Sequence, residues 1–149
     1  MKAMNEMKLT FPSRSANEAF ARAAVASFIA QLDPAVDELA DIRTAVAEAV
    51  TNSIVHASPD TIGSITIQVK LFASGRVVIR VKDRGCGIED VEKAMEPLFT
   101  TGGEDRSGLG FSVMESFSDR LKVSSKKGKG TTVTLEKYIA LRERKTGAL

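Results

Sequence analysis

Cysteine is almost absent. Cys86 is the only one in 149 residues, so an internal disulfide is excluded and no cysteine cluster is available for a metal, as expected in a reducing compartment. Long apolar runs are missing as well. No stretch approaches the roughly 18 residues that a membrane-crossing helix needs, and the opening Met1-Lys-Ala-Met-Asn-Glu6 lacks the apolar run of a secretory leader. Neither sign of charge dominates: 21 Lys and Arg against 19 Asp and Glu leave a net +2, too little to argue for a nucleic acid or an anionic membrane as partner. What is present is ordinary. Hydrophobic residues at 43% and charged residues at 27% describe a folded chain rather than a disordered one, and this length suffices to bury a core. The expectation is one domain over residues 1–149, soluble and cytoplasmic.

Periodicity then divides the chain. Lys8-Leu-Thr-Phe-Pro12 alternates and stops at proline, which predicts a short edge strand. Ser15 and Glu18 have the spacing of a capping box, predicting a helix that turns Phe20, Val25, Phe28 and Ile29 inward and leaves Arg14, Arg22 and Gln31 outside. Asp33 as cap with Pro34 at the first helical position starts a second helix. Along it Val36, Leu39, Ile42, Val46, Ala49 and Ser53 recur at helical steps as far as about His56. After a polar turn, Ala57–Asp60, the runs Ile65–Leu71 and Arg76–Val81 read as an antiparallel hairpin through Ala73-Ser-Gly75, with Asp83 just beyond its second strand. A short helix over Val91–Met95, a loop over Pro97–Ser107 and a helix from Gly108 with Phe111, Val113, Met114 and Phe117 as its apolar residues come next. Leu121–Ser124 and Thr132–Tyr138 form a second hairpin around Lys126-Lys-Gly-Lys-Gly130, and the tail after Ala140 is charged. Helices interleaved with antiparallel strands predict a two-layer α/β sandwich of the α+β kind.

Four short segments carry chemistry. Glu48 and Asn52 stand four apart on one face of the long helix. Such an asparagine offers a neutral oxygen to Mg²⁺, and a glutamate one turn earlier can accept a proton from an attacking hydroxyl. Taken alone, this spacing far more often marks a solvated face or a capping contact. Asp83-Arg-Gly85-Cys-Gly87 follows a strand, where a carboxylate can accept a hydrogen bond from the adenine amino group and two glycines let the backbone approach a flat base. A plain Asp-Gly turn is the competing reading. Gly108-Leu109-Gly110 opens a helix, whose free N–H groups suit a triphosphate. No Gly-Lys-Ser/Thr follows, so this is not a Walker loop. Arg106 could place a guanidinium on a terminal phosphate, or simply be solvated. Gly130-Thr131-Thr132 enters the last strand, where a hydroxyl could reach the base. His56, the sole histidine, suits the C-terminal end of a helix and is a poor phosphoacceptor there.

Taken together, these segments resemble the Bergerat nucleotide-binding fold shared by gyrase-type ATPases, the Hsp90 chaperone, mismatch-repair ATPases and histidine kinases. That resemblance implies a mixed, mostly antiparallel sheet covered by helices on one face. Nearly the whole chain further resembles the anti-sigma F factor family of serine kinases, through Ser15–Arg22, Gln31-Leu-Asp-Pro34, Asp37-Glu-Leu39, Glu48–Asn52, Pro97-Leu-Phe-Thr-Thr101 and Arg106–Phe111. The resemblance implies ATP or ADP with Mg²⁺, Glu48 as catalytic base and Asn52 as Mg²⁺ ligand. It implies Asp83 for adenine, with Gly85, Gly87 and Thr131 nearby. Thr100, Thr101 and Ser107, Gly108, Leu109 and Gly110 would form an ATP lid, with Arg106 facing the γ-phosphate. Arg22 would contact both protein partners, sporulation sigma factor F and the anti-anti-sigma factor that carries the substrate serine. The family works as a homodimer, with no direct nucleic-acid contact. The chain departs from the family pattern at Ala57 after His56, in the short Gly102-Gly-Glu-Asp105 segment and at Arg84.

Other readings are a general-stress anti-sigma kinase, and a nucleotide-dependent module that sequesters a sigma factor without phosphate transfer. Glu48 and Arg106 speak against the second, since pure sequestration needs neither. A gyrase-like conformational ATPase would require a following transducer domain, and a histidine kinase a preceding helical phosphoacceptor region.

Overall fold

Strict alternation builds the sheet. In the computed structural model, which describes residues 2–57, 62–84, 110–126 and 128–141, strands β1 (Asn5–Pro12), β2 (Ser64–Leu71), β3 (Arg76–Asp83), β4 (Arg120–Lys126) and β5 (Gly130–Tyr138) form one five-stranded sheet. Their order is β1-β2-β3-β5-β4, and every neighbouring pair is antiparallel. Ile65, Ile67, Val69 and Leu71 of β2, with Val77, Ile79 and Val81 of β3, point to one face and are fully or almost fully buried. Each such side chain contributes about 1.5–3 kcal/mol by leaving water.

Helices α1 (Asn17–Ile29), α2 (Val36–Asn52) and α3 (Gly110–Ser116) cover that face. Val25 and Ile29 of α1, Ile42, Val46 and Val50 of α2 and Phe111 and Met114 of α3 join the strands in one apolar cluster. The two-layer sandwich with antiparallel strands and helices on one side is therefore the observed architecture. None of the described helices is long and apolar enough to cross a membrane. The short helix expected over Val91–Met95 and the loop to Ser107 lie outside the described residues.

Local signals misled in four places. The Ser15–Glu18 capping box does not form: α1 begins at Asn17 with Ala16 before it, and no side chain caps it. Successive backbone turns wind directly into the helix, with Arg14 N–H on Pro12 O, Asn17 N–H on Arg14 O and Glu18 N–H on Ser15 O. The early donors are thus already satisfied, and Asn17 Nδ2 donates instead to Pro12 O at 2.9 Å. Phe20 faces outward, 57% exposed. At about 100° per residue it lies about 140° from Val25, on the opposite side of α1 from the core. Asp33 does not cap α2. It takes a left-handed conformation (φ 51°, ψ 55°) that closes the 3₁₀ turn Ala30–Leu32, a geometry an aspartate tolerates better than most residues. Asp83 is the last residue of β3 rather than one beyond it.

The true start of α2 is built by Glu38. Its Oε1 accepts the Ala35 N–H at 2.8 Å, and its Oε2 accepts the Ala140 N–H at 2.9 Å, just past β5. One carboxylate thereby ties the head of the long helix to the exit of the last strand. Glu38→Ala is expected to cost about 2 kcal/mol through the lost cap and the second unpaired N–H, read as a lower denaturation midpoint at unchanged m-value. The far end of α2 also differs from a plain helix. After Asn52 the chain continues as a π-helical turn, Ser53–Ala57, in which Ser53 is buried.

Candidate nucleotide site between the helical layer and the sheet

The inward row of β3 ends in a carboxylate. Val77, Ile79 and Val81 are succeeded at the same face by Asp83, which is only 5% exposed, so an acid continues an otherwise apolar row. Its neighbour across the ladder is Thr131 at the start of β5, whose N–H donates to Asp83 Oδ1 at 3.2 Å. On the other flank Asp83 pairs with Ile65 of β2. A strand on each side thus fixes the backbone of this residue.

The approach of β5 depends on Gly130. Its φ is +89°, and a Cβ there would stand 2.2 Å from Asp83 O and 2.9 Å from Arg84 Cα. Glycine is what permits the two backbones to meet at the buried carboxylate. Ser125 of β4 completes the corner: its hydroxyl donates to Gly130 O at 3.0 Å and lies 2.8 Å from Thr131 Oγ1. Sequence reasoning passed over Ser125, although a serine opposite a Gly-Thr strand entry is the available signal.

Glu48 and Asn52 sit one turn apart on the second half of α2, both half-buried. Ala45, Val46, Ala49 and Val50 on the same stretch are buried and hold this part of the helix in the core. Helix α2 packs against both β3 and β5, and so does the π turn that follows Asn52. Glu48 and Asn52 therefore belong to the layer that covers the Asp83 face. π-helical turns are rare and recur at functional sites. His56 lies in that turn.

Gly110 begins α3, with Phe111 and Met114 buried against the core and the helix packed on α2. Gly85, Gly87, Thr100, Thr101, Arg106, Ser107, Gly108 and Leu109 lie outside the described residues. Arg22 is on α1, away from this cleft in sequence, with its side chain 38% exposed and 3.9 Å from the Glu18 carboxylate.

Among the described residues no group of three or more His, Cys, Asp or Glu side chains could cage a metal ion. On α2 the site offers the Asn52 amide oxygen and the Glu48 carboxylate. Hard oxygen donors of this kind fit Mg²⁺ that arrives with a nucleotide's phosphates, since Mg²⁺ seldom uses an all-protein cage.

Residues 11–137 match the family model described as a histidine kinase-like ATPase domain. The chain is 57% identical over 141 residues to an anti-sigma F factor of Thermoanaerobacter sp. (strain X514), spanning 93% of this chain and 97% of that one. It is 53% identical over 138 residues to an anti-sigma F factor of Geobacillus kaustophilus (strain HTA426), spanning 91% and 94%. Among solved structures, the RsbU and RsbW domains of a Mycobacterium tuberculosis protein align with a TM-score of 0.69 at 20% identity, over 95% of this chain and 34% of that one. The mycobacterial sensor histidine kinase MprB aligns with a TM-score of 0.56 at 18% identity, over 70% and 74%. These two likenesses show a shared fold. The sequence relatives extend over nearly the full length of both chains, and this chain belongs to the anti-sigma F factor family of histidine kinase-like ATPase domains.

Proposed function

We propose that this protein is a cytoplasmic anti-sigma factor that binds sporulation sigma factor F and, with ATP and Mg²⁺, phosphorylates a serine of its anti-anti-sigma antagonist. The observation that carries this reading is the 57% identity with an anti-sigma F factor over nearly the whole of both chains. The cleft supports it chemically. Asp83, buried and held by both neighbouring strands with Thr131 beside it, accepts a hydrogen bond from the adenine amino group, and by the family resemblance Gly85 and Gly87 would complete the base site. Asn52 is the chain's oxygen ligand for Mg²⁺, which when bound neutralises charge on the phosphates. Glu48 accepts the proton of the substrate serine as its oxygen bonds to the γ-phosphorus, while the bond to the bridging oxygen breaks and ADP leaves. By resemblance to the family, Arg106 would act on the γ-phosphate, and Thr100, Thr101 and Ser107 to Gly110 would bind the nucleotide's phosphates. Arg22, on the outer layer, contacts the protein partners, and the working unit is a homodimer.

The test is transfer of label from γ-labelled ATP to the anti-anti-sigma protein in the presence of Mg²⁺. Labelled phosphoserine is expected. ATP bound without any transfer would leave a sequestering module in its place. The adenine role has its own check. Asp83→Asn keeps the shape and loses the charge, and is expected to weaken ATP binding about 10- to 100-fold by calorimetry. Unchanged affinity would remove Asp83 from the nucleotide site.

A further inference from the structure

The helices cover one face of the sheet, and the strand register shows what lies on the other. One row across it reads Lys8, Gln68, Arg80, Thr134, Lys122, from β1 to β4 through successive pairs. The next row reads Thr10, Thr66, Lys82, Thr132, Ser124. Arg84 follows Lys82 and Asp83 at the end of β3. Lys8, Arg80, Lys82, Arg84 and Lys122 are all exposed, and all line one shallow concavity with the hydroxyls between them. Neither row contains a carboxylate.

The row beyond is built differently. Glu6, Lys70, Val78, Glu136, Arg120 mixes both signs, and Glu136 is paired with Arg76 and Arg120. Cations and anions are nearly balanced in the protein as a whole, 21 against 19, so five cations without one acid is a local arrangement. Strands are spaced about 4.8 Å apart, which sets Arg80 about 10 Å from Lys8 on one side and from Lys122 on the other, with the two lysines about 19 Å apart. A carboxylate seated midway between neighbouring cations lies about 5 Å along the sheet from each, within the screening length of about 8 Å at physiological salt, so it feels both.

We propose that this half of the open sheet face docks an acidic segment of a protein partner, lying across the strands with carboxylates over Lys8, Arg80 and Lys122. Charge complementarity selects the chemistry, and the Thr and Ser hydroxyls offer hydrogen bonds between the cations. The two rows hold no aromatic ring on which a nucleic-acid base could stack. A second copy presenting the same face would set like charges against like, which opposes association. The inference does not depend on the kinase reading, because none of these residues is among the proposed nucleotide ligands.

The probe is a fluorescent peptide of about ten alternating Asp and Glu residues, followed by anisotropy on the full chain at low and moderate salt. Binding that weakens as salt rises is expected, as is a loss of about tenfold or more in the triple variant Lys8→Ser, Arg80→Ser, Lys122→Ser. Arg14→Ser in the turn before α1 with Arg43→Ser on α2, both exposed and away from these rows, should leave binding within about twofold, and ATP affinity should be unchanged in both. Arg80→Thr alone serves as the milder variant and should show part of the loss. Equal loss in the Arg14/Arg43 control would overturn the proposal, as would no loss in the triple variant. Tighter binding of a duplex DNA of equal charge would make this a nucleic-acid face instead. Self-association that disappears in the triple variant would assign it to a second copy.

Discussion

Glu48→Gln is expected to lower serine phosphorylation by roughly 10²- to 10⁴-fold while ATP still binds. The substitution is nearly isosteric and glutamine has much the same helix propensity, so α2 should form unchanged. Glu48 is half-buried on a stretch of helix held by Ala45, Val46, Ala49 and Val50, which fixes where the side chain emerges. What glutamine cannot do is accept a proton. Asn52 is untouched one turn further on, so the proposed metal ligand remains. Single-turnover transfer from labelled ATP, with nucleotide affinity measured in parallel, separates the two effects. Transfer at the parental rate would take the base role away from Glu48, whereas loss of ATP binding would make it a structural group.

The second large effect is on the fold. Gly130→Ala should destabilise the protein by about 3 kcal/mol, a fall in Tm of about 10 °C, and should weaken ATP binding with it. Two causes act together: a positive φ of +89°, and a Cβ that would stand 2.2 Å from Asp83 O. A backbone carbonyl cannot swing aside as a flexible side chain can, so β5 would have to retreat from β3 where Thr131 N–H meets the Asp83 carboxylate. Gly128 provides the internal comparison. Its φ is +80°, but nothing lies within 4 Å of the Cβ position. Gly128→Ala should therefore cost only the conformational part, about 1 kcal/mol. Melting both variants isolates the contribution of the close approach. Equal losses would mean that β5 shifts freely and that Gly130 does not position Asp83.

Much of this architecture was legible because it rests on short-period patterns. The β2–β3 hairpin could be read from alternation alone, since one face is buried and a one-residue slip would expose Ile65, Ile67, Val69 and Leu71 together. The central stretch of α2 was equally plain. Its ends were not. Asp33-Pro34 is a good start signal locally, yet the chain first closes a 3₁₀ turn with Asp33 left-handed, and Glu38 sets the start from three residues inside. Glu38 in turn reaches Ala140, a contact across 102 positions that no local window contains. Phe20 was misplaced because apolar character was read without its angle about the helix. The π turn after Asn52 has no composition signal at all. Motif order singled out Glu48, Asn52, Asp83 and Thr131, and the fold places the first two on the helical layer and the last two at the β3–β5 corner. The roles of Gly130 and Ser125 depend on how three strands meet, which spacing along one strand does not encode.

The sheet order also constrains how the chain acquires its shape during synthesis. β5 follows the other described strands in the chain, yet it lies inside the sheet, between β3 and β4. Until it emerges, β4 has no partner among the described strands, and β3 shows an open edge to the surroundings. The nascent chain can assemble β1, β2 and β3 with α1 and α2, but the cleft corner at Asp83 waits for Gly130 and Thr131. Completion of the described sheet thus waits for β5, and a polypeptide released before that point carries an unfinished edge exposed to aggregation.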